Sequence, residues 1–175
     1  MTIFSKIKFI FQKPKLVIIT GEEKESVKEL VTLVLNRYFR IGRDVLIYDL
    51  NLGDLEKMKF LINVSAAKVL VADQFNSVKE GSFPGGTLVC RSKKGIKIYS
   101  MPSQRESLLE ATDIKNSEKV NFKINYEGNL VPVWLDERLK EEKIQAALVA
   151  AGVGLTLGLN LVEVSQAFGP QTRDL

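Results

Sequence analysis

The sequence predicts an α/β fold: a parallel sheet with flanking helices, plus a small antiparallel sheet in its second half. Three observations carry this. Apolar runs at residues 16–20, 44–50 and 68–72 are short, rich in Val, Leu and Ile, and nearly uninterrupted, as in strands buried on both faces. The first two are each followed by apolar residues at helical spacing, so the order is strand–helix–strand–helix–strand, which implies right-handed crossovers in a parallel sheet. Beyond residue 86 the runs become short and alternate, which is the period of antiparallel strands.

Taken in order, residues 1–13 read as an amphipathic helix and residues 14–175 as one domain. Within the helix, residues 3–12 place Ile3, Phe4, Ile7, Ile10 and Phe11 on one face and Ser5, Lys6, Lys8 and Lys13 toward the other, with Pro14 ending it. Such a helix suits peripheral contact with an anionic membrane surface. Ten residues bind lipid weakly without a second anchor, however, which favours packing on the domain itself. Leu16 to Thr20 form the first strand, and Gly21 turns the chain into a helix carrying Val27, Leu30, Val31, Val34, Leu35 and Tyr38. Asp44–Leu50 is the second strand. Asp54 is placed to cap a helix with Leu55, Met58, Leu61 and Ile62, and Lys68–Ala72 is the third strand. The loop Gly81–Gly86 closes this half. Thr87–Cys90, Ile96–Tyr99, Val120–Tyr126 and Leu130–Leu135 are alternating strands, with a hairpin turn at Glu127-Gly128. Glu141–Leu157 is an Ala- and Gly-rich helix stopped by Gly158, and Asn160 caps a last helix through Phe168.

Composition narrows function. The 175 residues are 45% hydrophobic and 26% charged, enough to bury a core in a single domain. No apolar run reaches the ~20 residues of a membrane span, and lysines interrupt the start as they do not in a secretory signal. One cysteine, Cys90, excludes an internal disulfide and fits a reducing cytoplasm. The chain has no histidine, which removes Ser-His-Asp and Cys-His catalysis and His-ligated metals. The net charge of +4 is spread out, apart from Lys6, Lys8, Lys13 and Lys15, and Arg91, Lys93, Lys94 and Lys97. Nucleic-acid binding calls for a denser basic face with aromatics in it, so none is expected.

The stretch Lys15–Leu30 has the frame of a phosphate loop: strand, glycine turn, helix N-terminus. A working loop adds further small residues, a Lys for the terminal phosphates and a Ser or Thr for magnesium. Here Glu22, Glu23 and Glu25 stand in the loop and first helical turn, where they suit the helix dipole and take the place of phosphate. Asp49 and Asp73 end predicted parallel strands, where open α/β sheets place ligands; the plainer reading is that each caps the following turn. Lys24 is expected to pair with its glutamate neighbours, Cys90 to be a buried strand residue and Trp134 to lie in the core or at a sheet edge.

Residues 111–168 bring a family into view. The segments ATDIKNSEKVNFKINYEGNLVPVWL and KIQAALVAAGVGLTLGLNLVEVSQAF resemble the small antiparallel sheet, Ala-rich helix and closing helix of the Mur ligase central, ATP-binding domain. The closest branch is the one that adds D-alanyl-D-alanine to the peptidoglycan precursor. The resemblance covers most of residues 14–172, most strongly from residue 111, and places Gly169–Leu175 at the family's linker to its C-terminal domain. It implies a P-loop-like fold, lacking here the UDP-sugar and amino-acid domains. The family's loop, TGSxGKTxTKEL, falls on Thr20-Gly21-Glu22-Glu23-Lys24-Glu25-Ser26-Val27-Lys28-Glu29-Leu30, one residue shorter. One alignment keeps Lys24 as the phosphate lysine, another keeps Ser26 as the magnesium hydroxyl, and neither keeps both. Thr20, Gly21, Lys24 and Ser26 are thus the vestigial phosphate loop, and Asp49 stands where the family has its metal-binding glutamate. A Thr/Asn-rich block is deleted between Arg43 and Asp44, Val78 replaces a histidine, and a lysine-bearing helix is missing between Lys79 and Gly85. Gly85–Ser92 lacks both aspartates of its motif, and the segment expected to supply a His and an Asn near nucleotide reads Glu142-Lys143-Ile144-Gln145-Ala146.

Two functions follow from the resemblance. The first is a non-catalytic Mur-ligase-like binding or regulatory module linked to peptidoglycan precursor synthesis. It has no catalytic residue and no cofactor, and its partners are a Mur ligase, a second copy or the inner membrane face. The alternative is an ATP-dependent amide ligase, or a subunit of one, using ATP and Mg weakly.

Overall fold

The computed structural model describes residues 9–79, 81–100, 105–116, 120–135 and 141–169, without the side chains of residues 116, 141 and 142. Residues 1–8, residues 136–140 and residues 170–175 of the expected linker lie outside them.

Eight strands form one sheet in the order β2-β1-β3-β4-β5-β6-β7-β8. The first four are β1 (Lys15–Ile19), β2 (Val45–Asp49), β3 (Lys68–Ala72) and β4 (Thr87–Arg91), and they run parallel. From β4 the sheet continues antiparallel through β5 (Ile96–Ser100), β6 (Arg105–Asn116), β7 (Val120–Tyr126) and β8 (Asn129–Leu135). The expected parallel and antiparallel sheets are therefore joined edge to edge.

Helix α1 (Lys24–Asn36) connects β1 to β2. A 3₁₀ segment, Leu52–Met58, and α2 (Lys59–Val64) lead to β3. Helices α3 (Glu141–Thr156) and α4 (Leu161–Phe168) follow β8. The β-strand period of two divides the core between the two sheet faces. Val17, Ile19, Val69, Val71, Val89, Ile98 and Phe122 join α1, α3 and α4 in one cluster, whereas Leu16, Ile18, Leu46, Leu70 and Leu88 pack with Leu55, Leu61, Ile62 and Phe83 in another. In β8 the alternation sends Leu130 and Trp134 to solvent at 56% and 52% exposure, so Trp134 lies on an edge strand and outside the core.

Helix α3 buries Ala146, Ala147, Ala150 and Ala151 completely. A Cβ on Gly154 would lie 3.1 Å from Val164, 3.2 Å from Val34 and 3.3 Å from Leu159, so this glycine lets α3 approach α1 and α4. Asn160 caps α4 as expected, and does so reciprocally: its Oδ1 accepts from Glu163 N–H at 2.9 Å and Glu163 Oε2 accepts from its N–H at 2.8 Å. The β7–β8 turn has φ of 49° at Glu127 and 82° at Gly128, the pair of positive values a tight hairpin demands.

Three local expectations change. Asp54 caps nothing: it lies within the 3₁₀ segment, and its carboxylate accepts from Lys57 at 2.6 Å. Of the three glutamates, only Glu25 lies in the first turn of α1, with Glu23 at the N-cap position and making no cap bond. β6, twelve residues long, was not among the expected strands. Its pattern is broken by a register shift between Thr112 and Lys115, where Asp113 takes φ 52°.

Candidate functional site

The order β2-β1-β3 means that the chain leaves β1 in one direction and returns on its other side, so a crevice opens at the C-terminal ends of β1 and β3. Three chain segments meet there. Thr20 to Glu23 leave β1, Asp73 and Gln74 leave β3, and Arg91 to Lys93 leave β4. Together Glu22, Glu23, Asp73, Gln74, Arg91, Ser92 and Lys93 line an open cleft of ≈ 630 Å³.

Gly21 has φ +107°, a conformation side-chain-bearing residues rarely adopt. An added Cβ would also meet the carboxylate of exposed Asp73, which would have to shift. The Asp73 carboxylate thus lies directly against the loop backbone. Thr20 is buried, and its hydroxyl donates to the Val71 carbonyl at 2.8 Å, which ties the loop to β3 and turns the hydroxyl away from the cleft.

Glu23 reaches across the cleft to Arg91, the last residue of β4, with Oε2 accepting from Nη2 at 2.5 Å. That bond holds the Glu23 carboxyl below its ordinary range and the Arg91 guanidinium above its own. The negative charge of Asp73 adds to the effect on Arg91. Arg91 is therefore held by Glu23 within the field of Asp73. Cys90 is no nucleophile: burial, with Asp73 nearby, pushes its thiol up to about 12.

Of the other positions singled out in the sequence, Lys24 and Ser26 occupy the first turn of α1, both half-buried. Lys24 is not the partner of Glu23. Asp49 ends β2, across β1 from Asp73, and accepts from Lys28 Nζ at 2.6 Å. The Lys28 bond lowers the Asp49 carboxyl's pKa, with a smaller contribution from Lys24. Where metal coordination is in question, Asp49 already has a cation, and no group of three or more Asp, Glu, His or Cys side chains among the described residues is arranged around a common centre. Gln145 on α3 has its amide oxygen buried without a partner among the described residues.

Sequence reasoning marked Asp73 and the Arg91–Lys97 basic run separately but not their convergence. Glu23 and Arg91 stand 68 residues apart, and only the sheet order joins them.

An anion entering here meets three carboxylates (Glu22, Glu23, Asp73) and two cations (Arg91, Lys93), one of which is already engaged.

No family model matches the chain, and no curated protein matches it either. Solved structures do. A crystal structure of MurF from Acinetobacter baumannii superposes with a TM-score of 0.61 at 12% identity, covering 93% of this chain and 47% of that one. A second MurF structure from that organism covers 96% and 49%, at 11% identity and the same TM-score of 0.61. A pseudomurein peptide ligase type C from Methanothermus fervidus gives 0.54 at 13% identity, covering 90% and 49%. The chain thus has a Mur-ligase-like fold and spans about half the length of the solved structures it matches.

Proposed function

We propose that this chain is a non-catalytic Mur-ligase-like module that binds or regulates a component of peptidoglycan precursor synthesis in the cytoplasm. One observation carries the reading. At the crevice where a working domain of this fold would cradle phosphate, Glu23 is bonded to Arg91 and Asp73 lies against Gly21. The four residues replace an anion with an internal ion pair and a carboxylate. Lys28 does the same for Asp49, which stands where the resemblance places a metal ligand. An acyl-phosphate ligase needs metal, phosphate lysine and substrate held together; here Asp49 is engaged by Lys28, and no alignment of the loop keeps both the lysine and the hydroxyl. The partner we favour is a Mur ligase or a second copy of this chain.

The alternative, an ATP-dependent amide ligase or a subunit of one, draws support from Lys24 and Ser26 at the start of α1. Calorimetric titration with Mg-ATP separates the two readings. Millimolar or absent binding is expected; micromolar affinity would establish the second reading in place of the first.

A further inference from the structure

The opposite end of the sheet carries a different surface. β1 and β2 are parallel and in register from Lys15 and Val45, so the residues entering them, Lys13-Pro14 and Arg43-Asp44, lie side by side. The Lys15 N–H donates to the Asp44 carbonyl at 2.9 Å and the Ala66 N–H to the Pro14 carbonyl at 3.2 Å, which fixes this rim.

Ahead of β1, residues 9–12 form one helical turn, closed by the Lys13 N–H donating to the Phe9 carbonyl at 2.9 Å. Phe9 packs against the core cluster of Leu16 and Leu46. The next two side chains turn out: Ile10 is 47% exposed and Phe11 84%, the highest value of any large hydrophobic residue described. In the adjacent loop before β2, Ile41 is 37% exposed, beside exposed Arg40 and Arg43. Asp44 is neutralised by Arg40, whose Nε and Nη2 donate to its two oxygens at 2.8 and 3.0 Å. The charge left on the rim is that of Lys13 and Arg43, and it is positive.

From this juxtaposition we infer that the N-terminal rim of the parallel sheet docks on an anionic phospholipid surface, inserting Phe11 and Ile10 while Lys13 and Arg43 meet headgroups. A short amphipathic segment alone binds lipid weakly. Here the fold supplies a second anchor, Ile41 with Arg43, at the same end of the sheet. Docked this way, the crevice at the other strand ends faces away from the bilayer.

The test is co-sedimentation of the full chain with vesicles of equal parts phosphatidylglycerol and phosphatidylcholine, against pure phosphatidylcholine. Binding is expected to the first only, and to weaken with added salt. Phe11→Glu should abolish it, and Lys13→Glu and Arg43→Glu should each weaken it about fivefold or more. Trp134→Ala, on the remote edge strand, should leave it unchanged. Phe11→Ser and Ile10→Ser serve as milder variants should the charged one fail to fold. Absence of binding to anionic vesicles overturns the proposal, as does equal binding to neutral ones or an equal loss in Trp134→Ala. So does a self-associated chain that Phe11→Ser renders monomeric without any vesicle binding, because the rim would then pair two copies.

Discussion

The Arg91 guanidinium is engaged by the Glu23 carboxylate, and that bond has a measurable pH signature. The Glu23 carboxyl is held below its ordinary 4.5 in the folded chain. A depressed carboxylate stabilises fully above its unfolded pKa, and the contribution is lost as pH falls through the folded value. Both side chains are partly solvated, at 26% and 36%, so the pair is worth about 1 kcal/mol or less. Glu23→Gln should therefore lower stability slightly in urea titrations at neutral pH. The gap from wild type should narrow as the pH falls below the ordinary carboxyl range of Glu23. Gly21 is the more sensitive residue. With φ +107° and the Asp73 carboxylate in the way of a Cβ, Gly21→Ala should cost about 1–3 kcal/mol by the same titration. Adding Asp73→Ala should recover the part due to the clash and leave the backbone strain. The sequence made Gly21 legible through its strand–glycine–helix setting. It could not reveal the Asp73 contact, because that depends on β3 lying next to β1.

At the scale of the element, local chemistry decided what could be read beforehand. The ends of α4 were legible because Asn160 and Glu163 make a reciprocal cap three residues apart. Asn160→Ala should cost about 1 kcal/mol, measured as a lowered thermal midpoint. β3 was legible to the residue because Lys68–Ala72 is apolar on both faces and buried on both. β6 was not, since its buried side includes little beyond Leu109 and its ladder is broken before Lys115. Helix α3 offers the sharpest test of packing. Gly154→Val would add methyl groups beyond a Cβ that would itself lie only 3.1–3.3 Å from Val164, Val34 and Leu159. A loss of about 1–3 kcal/mol is expected from overpacking, read by chemical denaturation. Gly158, at φ +100° and with open space around it, should tolerate Asn far better than Gly154 tolerates Val.

Over the whole molecule, the two halves of the sheet are joined through β4, which pairs in parallel with β3 and antiparallel with β5. Helix α3 reinforces the junction, since Gly152 packs against Val89 of β4 and against Ile96 and Ile98 of β5. This unity was only partly legible in sequence, where the change of period marked two kinds of sheet but no edge in common. The single sheet has a kinetic consequence. In the meander from β4 to β8 every strand pairs with its neighbour along the chain, whereas β1 must wait for β2 and β3 to arrive through long crossovers. Loop-closure entropy therefore favours early assembly of the meander and delays the parallel half. In pulsed hydrogen exchange during refolding, the amides of Phe122 and Ile124 should gain protection before those of Val17 and Ile18. The crevice needs the late-arriving β1 and β3 beside β4, so it would be the last part of the protein to take shape.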